Sequence, residues 1–556
     1  MENYKKLSDL LFGDIDKSTD YWEDKYPPRK TVSDAAVTRL GPSPTGFIHL
    51  GNLYTAFMNE KLAKQTGGIF YLRIEDTDDK REVEGATESL ITTLDFFGID
   101  FDEGVTLEGE TGDYGPYYQS KRKEIYQTYV KELVSMGKAY PCFLTEEEIN
   151  AVREEQERNK LTPGIYGKWA KYRDASFEEI QSKIKNGEEY VIRFKSEGDP
   201  EKYFKIQDGI RGEVSMPENQ MDVVLLKSNG MPTYHLAHVI DDHLMRTTHV
   251  FRGEEWLSSL PVHVALFSAL GFDLPIYCHT TVLMKMDGET KRKLSKRKDP
   301  ELSLEFYKSE GYHPKAISEY LMTIINSNFE EWRMENPDAD LSEFKMSTEK
   351  MGHSGILFDL DKLIDVSKEV LVKISADNLS DFVINWAEEY EPEKAALISG
   401  RENSQYGREY LIKSLDIGRD GNKPRKDLAY AKQILDFISY FYDEYFNIED
   451  KISENIPRED VSVLLNAYLD TYDHNDPRDV WFDKIRKITD ENGYAVKPKN
   501  FKKNPDDYKG HVGDVSGLIR LALTGRSNSP DIWEIQQILG EERVVKRIKD
   551  FILQNN

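Results

Sequence analysis

Two cysteines in 556 residues, Cys142 and Cys278, leave nothing from which to build a disulfide framework or a cysteine-rich zinc site. Long apolar runs are missing too. No uncharged stretch reaches the ~18–20 residues that a membrane span requires. The most apolar window, LPVHVALFSALGFDLPIYC, is broken by two prolines, a histidine and an aspartate. The first residues, MENYKKLSDLLFGDIDKSTD, are polar and acidic, unlike a signal peptide. No internal repeat or low-complexity tract occurs. A surplus of positive charge is also lacking: the formal net charge is −26, which argues against broad, non-specific nucleic-acid binding but leaves room for local patches. A reducing cytoplasm is the expected setting.

What is present is a soluble globular composition, 39% hydrophobic and 31% charged, long enough for roughly three to five structural units. Within it the segment KRKLSKRKD, residues 291–299, gathers six cationic side chains among nine residues. Residues 1–37 read as an extension whose linker is DKYPPRKTVSDA. A strand–turn–helix–strand unit follows. AAVTRL is a short apolar strand, and GPSPTG is a turn in which Pro42 and Pro44 stop any helix. A helix runs from about Gly51 and is closed by Gly67 and Gly68. IFYLRIED is a nearly continuous apolar strand, as in a parallel sheet covered on both faces. Far downstream THVFRG and EEWLSSLPVHVALFSALG repeat the strand–helix pattern. The charged stretch between them holds its own strands, EYVIRF and MDVVLLK, so a domain inserted into the first is expected. Beyond about residue 300 the apolar spacing is helical.

Ligands of an open parallel sheet lie beyond the carboxyl ends of its strands. Here those ends carry Arg39, then Glu75 with Asp76, then Arg252. Two cations and an anion facing one crevice would match a ligand with two negative groups and one positive, the charge inventory of free glutamate. The loop GPSPTGFIHLGN leads into a helix and so offers free N–H groups and a positive dipole end. His49, just before that helix, could donate to a phosphate, and Gly51 leaves room for a nucleotide. Plain strand-end pairing and a solvated basic loop are the competing readings. Asp76, Thr77 and Asp78 could simply cap the next helix, and Arg292, Arg297 and Lys298 could be surface charges.

SPTGFIHLGN and KLSKR resemble the two signature motifs of class I aminoacyl-tRNA synthetases. TRLGPSPTG, RIEDTD, PTYHLAHVIDDHLMRTTHVFRGEEW and KLSKRK, in that order, resemble bacterial glutamyl-tRNA synthetases, and the similarity runs through SGILFDLDKL and LIRLALTGRSNSPDIWEIQQILG. The resemblance implies an α/β protein: a Rossmann-like nucleotide-binding domain in two halves (38–118 and 234–290), split by an inserted acceptor-stem-binding domain (119–233). A KLSKR loop and stem-contact linker (291–373) and a mainly helical anticodon-binding half (374–556) would follow. It implies a ligase that activates glutamate with ATP and Mg2+ and passes it to tRNA(Glu), with tRNA(Gln) open as a second acceptor, working as a monomer.

By that resemblance His49, Lys293 and Lys296 act on the phosphates. Arg39, Ser43, Glu75, Tyr234, His238 and Arg252 form the glutamate site, with Arg39 on the side-chain carboxylate and Glu75 on the ammonium. Ser43, His49, Gly51, Asn52, Glu255, Trp256, Lys293, Leu294, Ser295, Lys296 and Arg297 line the ATP side. Lys423, Arg425, Lys426, Lys502 and Lys503, from two basic islands, are candidates for tRNA. The chain departs from the pattern in places. Asn52 replaces a second histidine, His238 stands where relatives commonly have asparagine, and DKLIDVSKEVLVKIS differs from the usual stretch. Cys142 has no cysteine nearby, so no zinc is expected. A glutaminyl-tRNA synthetase is disfavoured by Glu75 and the helical C-terminal half, and a short tRNA-modifying relative by the presence of that half. Arg39, His49, Glu75 and Lys296 disfavour a catalytically dead tRNA-binding paralogue.

Overall fold

A computed structural model of the chain describes every residue except 1, 45, 47, 79–82, 404, 420–422 and 556. The described residues divide into two compact units, one of 1–306 with 318–359, the other of 307–317 with 360–556.

In the first unit β1 (Val37–Leu40) and β2 (Ile69–Leu72) pair in parallel, Val37 opposite Ile69. β2 continues in parallel to β3 (Glu103–Thr106), which folds back onto β4 (Gly109–Thr111). The crossover is the helix Leu50–Thr66. Its chain reverses at Gly67, φ 67°, a left-handed conformation that costs glycine little. β2 is shorter than IFYLRIED suggested. After Arg73 the backbone leaves β1, and the Ile74 N–H donates to Tyr117 O at 2.9 Å. Asp76 does not cap the next helix, Ala86–Phe96. Its carboxylate accepts from the Ser120 N–H at 2.8 Å.

The inserted segment forms β5 (Ala139–Cys142), β6 (Val191–Phe194), β7 (Tyr203–Asp208), β8 (Gly212–Pro217) and β9 (Val224–Leu226). β5, β6 and β9 make an antiparallel sheet, and β7–β8 is a separate hairpin. EYVIRF and MDVVLLK thus contain β6 and β9, as expected. β10 (His249–Gly253) and β11 (Ile276–Thr280) then pair in parallel. The Thr248 N–H donates to Val37 O at 2.9 Å, which sets β10 beside β1. Strand order therefore reverses between β1 and β10, the kind of switch point where open α/β sheets bind ligands. The expected helix EEWLSSLPVHVALFSALG begins instead as a 3-10 turn, Glu254–Ser259. The α-helix proper, Leu260–Leu270, opens on Pro261, which has no N–H to donate. β12 (Leu283–Asp287) and β13 (Thr290–Lys293) form a hairpin joined by β14 (Ile356–Leu357).

The N-terminal extension is fastened to this unit. Its helices Glu2–Leu11 and Thr19–Lys25 lie against the helix Lys123–Ser135, where Trp22 Nε1 donates to Thr128 Oγ1 at 3.1 Å. Arg29 forks onto Glu103 at 2.7 and 3.0 Å.

The second unit runs through helices from Leu360–Leu371 to Glu541–Asn555 around one core, in which Leu379, Val383, Ile434, Leu465, Ile485, Val544 and Ile548 are fully buried. Each such side chain contributes about 1.5–3 kcal/mol of transfer free energy. Among the described residues no helix is long and apolar enough to cross a membrane.

Candidate active site

The helix Tyr234–Leu244 crosses behind the switch point. Its Thr233 cap is tied to β9, the Thr233 Oγ1 donating to Val224 O at 2.7 Å. Helical spacing puts Tyr234, His238 and Asp242 on one face. Asp242 is buried and collects four partners, among them the Thr247 hydroxyl, which donates to it at 3.4 Å. Arg73 Nη1 donates to it at 2.6 Å, Arg39 Nε at 3.3 Å, and His238 Nδ1 lies 2.7 Å away. Burial alone would raise this carboxyl; Arg39, Arg73 and His238 override it and hold it well below the usual range. Glu75 accepts from Arg73 Nη2 at 3.0 Å. Its carboxyl is nevertheless raised, because burial outweighs Arg73 and Arg39. A Cβ on Gly41 would stand 2.4 Å from Glu75 Oε1, so glycine there makes room for the carboxylate.

Arg39, Glu75 and Arg252 meet around Tyr234, whose hydroxyl is raised by burial against the pull of Arg252 and Arg39. Trp256 packs on Tyr234, ring centroids 4.2 Å apart. Arg39 spends Nε on Asp242 and Nη1 on Phe251 O, so only Nη2 has no hydrogen bond among the described residues. Arg252 Nε donates to His279 Nε2 and Nη1 lies against His263 Nδ1, both at 2.9 Å. Its Nη2 is buried with no hydrogen-bond partner among the described residues. His238 differs from the expectation of a substrate contact. It is fully buried behind Tyr234, with Nε2 3.0 Å from the Tyr277 hydroxyl and Nδ1 against Asp242.

On the other side of the GPSP turn a cavity of about 160 Å3 is lined by Ser43, His49, Asn52 and Ile74 among others. Asn52 reaches back, its Oδ1 accepting from the His49 N–H at 3.0 Å, so it fixes the start of the helix. Gly51 serves the imidazole directly: a Cβ there would lie 2.9 Å from His49 Cε1. Burial, then Lys293, pushes His49 below its ordinary value, making it a neutral N–H donor near neutral pH. His49 also pairs with Ser303, six residues beyond KLSKR, in an isolated antiparallel bridge. Ser43, Glu255, Lys293, Lys296 and Arg297 are exposed, and Leu294 is buried beneath the loop. Arg292 is no loose surface charge. It forks onto Asp299 at 2.6 and 2.7 Å, Asp299 also accepts from the Ser295 N–H at 2.8 Å, and Arg292 in turn holds that carboxyl well down.

Within the helical unit Lys423, Lys502 and Lys503 are exposed. Arg425 is not available as predicted: it folds onto Asp427 at 2.8 Å and over the Phe437 ring, 4.6 Å from its centroid. Lys426 pairs with Glu369 at 2.6 Å. Sequence reasoning missed Arg73, Asp208, Asp242, His263, Tyr277 and His279. Arg73 carried a signal, two positions from Glu75 and so on the same side of an extended chain. Asp242 carried one as well, eight positions after Tyr234. Among the described residues no three His, Cys, Asp or Glu side chains gather as a metal site.

Residues 35–339 match the family model of class I tRNA synthetases (E and Q), catalytic domain, and residues 499–552 match an anticodon-binding domain model. The chain is 60% identical over 548 residues to a glutamate–tRNA ligase of Acetivibrio thermocellus, covering 98% of this chain and 99% of that one. It is 51% identical to one of Clostridium perfringens strain 13, covering 98% and 100%. A crystal structure of a glutamate tRNA ligase from Elizabethkingia meningosepticum in complex with its amino acid superposes with a TM-score of 0.73 at 27% identity. That match covers 94% of this chain and all of the other.

Proposed function

The chain belongs to the class I glutamate–tRNA ligases, and on that premise we propose how its own side chains carry the reaction. The enzyme activates glutamate with ATP and passes it to tRNA. In the first step a glutamate α-carboxylate oxygen attacks the α-phosphorus of ATP and pyrophosphate leaves, with Mg2+ riding on the phosphates as part of the substrate. In the second, a ribose hydroxyl of the terminal adenosine attacks the glutamyl carbonyl and AMP leaves. The substrates supply both nucleophiles, so the protein contributes position and charge.

Arg252 and the Nη2 of Arg39 receive the glutamate carboxylates, Glu75 holds the ammonium, and Ser43 and Tyr234 close the sides. Trp256 and Glu255 face the nucleoside. His49 donates to a phosphate, while Lys296, with Lys293 behind it, meets the charge that grows as pyrophosphate departs. Exposed Lys423, Lys502 and Lys503 are contacts for tRNA in the helical unit. The working form is a single chain in a reducing cytoplasm, in keeping with two buried free cysteines.

The observation that carries this reading is Arg252: a buried guanidinium whose Nη2 has no hydrogen-bond partner among the described residues, at the carboxyl end of β10, beside Tyr234. Glutamine carries the α-carboxylate but not the side-chain one, so it would leave Arg39 desolvated and poorly matched. Pyrophosphate exchange with tRNA present tests it. Glutamate should support exchange and glutamine should not; equal use of both would overturn the assignment. Charging purified tRNA(Glu) and tRNA(Gln) side by side fixes the range of acceptors.

A further inference from the structure

Arg39, Arg73 and Arg252 lie buried at this end of the sheet, and they are held in two ways. Arg39 and Arg73 lean on carboxylates, Asp242 taking both and Glu75 taking Arg73 as well. Arg252 leans on no carboxylate among the described residues. Its acceptors are the rings of His279 and His263, and its side chain lies over Tyr277, 4.4 Å from the ring centroid.

The donor inventory fixes the protons. A guanidinium offers N–H groups and no acceptor. His279 Nε2 must therefore present a lone pair, and the ring's one proton is on Nδ1, where Asp208 Oδ2 accepts it at 2.6 Å. His263 Nδ1 must likewise be bare, so its proton is on Nε2 and points at His235 Nδ1, 3.1 Å away. Both rings are neutral. A second proton on either would set N–H against N–H beside a cation; burial, with Arg252 alongside, pushes both below their ordinary value. Asp208 is itself pinned. Its Oδ1 accepts from the backbone N–H groups of Ile210 and Arg211, each at 2.9 Å. It stands at the end of β7, on the hairpin of the inserted segment.

We propose that His279 and His263 are positioning residues that orient Arg252 without cancelling its charge, and that Asp208 sets the His279 proton on which this depends. A carboxylate at either position would orient the guanidinium as well, but would compete with an anionic ligand for it. Neutral acceptors give direction and leave the full cation to the substrate. The inference rests on the reading that Arg252 receives a glutamate carboxylate.

The test is glutamate- and tRNA-dependent pyrophosphate exchange by the full-length enzyme. Asp208→Asn keeps an oxygen on the two backbone amides and turns its NH2 toward His279 Nδ1. The ring proton must then move to Nε2, against Arg252. Glutamate KM should rise at least about tenfold, the scale of one lost charged hydrogen bond, with kcat and the ATP KM within about twofold. In the double variant Asp208→Asn/His279→Gln the glutamine oxygen replaces the Nε2 lone pair, and KM should return to within about threefold of wild type. A merely structural Asp208 predicts no such recovery. His279→Gln against His279→Leu, at similar volume, repeats the comparison without touching Asp208: only leucine should raise KM. Unchanged KM in Asp208→Asn, no recovery in the double variant, or equal KM for the glutamine and leucine variants overturns the inference. Arg252→Gln separates the underlying reading, which falls if that variant binds glutamate normally.

Discussion

A Cβ placed on Gly41 would lie 2.4 Å from Oε1 of Glu75. The clash is with the far end of a flexible side chain, so alanine at this position displaces the carboxylate and spares the fold. Glu75 is the anion proposed to hold the substrate ammonium, and Arg73 keeps it in place at 3.0 Å. Gly41→Ala should therefore cost less than about 1.5 kcal/mol of stability while raising the glutamate KM at least about tenfold. Urea unfolding and pyrophosphate exchange, run on the same preparation, check both halves. A destabilised variant with normal KM would mean that Glu75 has no part in glutamate binding.

Arg39 is tied to Asp242 at 3.3 Å and to Phe251 O at 3.4 Å, and its Nη2 has no hydrogen bond among the described residues. Glutamine at 39 can still donate to Asp242 but brings no charge. Arg39→Gln should reduce glutamate activation at least ~100-fold, about 2.7 kcal/mol of transition-state binding. Near-normal turnover of glutamate would remove Arg39 from the carboxylate site.

Lys296 is exposed on a loop whose base is fixed through Arg292, Asp299 and the Ser295 N–H. An exposed cation on an anchored loop suits a group that acts when charge develops on the phosphates. Lys296→Ala should lower kcat by ~10²–10³-fold, as for loss of one oxyanion donor, with the ATP KM within about threefold. A rise in KM at constant kcat would show that the loop only binds.

Much of this site was legible because charge at a strand end is a local feature. Arg39, Glu75 and Arg252 each close a short apolar run, and Gly67 marks a helix end by itself. The second half of the site is long-range. Arg73 and Asp242 are 169 residues apart, Asp208 and His279 are 71 apart, and no spacing rule links them. Composition also misleads where folding turns a cation inward. Arg425 reads as part of a basic island, yet its charge faces Asp427 and a phenylalanine ring. His238 misled in the opposite way: it shares a helix face with Tyr234, one turn on, but is fully buried between Asp242 and Tyr277.

His238 also gives the enzyme a pH-dependent stability. It is fully buried between Asp242 and Tyr277, and burial outweighs the pull of Asp242, lowering it from an ordinary 6.5 to about 4. The unfolded chain takes up this proton as pH falls through about 6.5, whereas the native protein resists until about 4. Between those values the unfolded state binds more protons, so stability is full above the upper one, falls as pH drops toward the lower, and loses nothing further from this group below it. One such displacement corresponds to roughly 3 kcal/mol. His263 and His279 are shifted in the same direction and steepen the slope. Urea unfolding followed by tryptophan fluorescence should give a lower midpoint at pH 5 than at pH 7.5. His238→Asn, which can still donate to Asp242 but takes up no proton, should flatten that difference. An unchanged slope in the variant would assign the acid sensitivity to other groups.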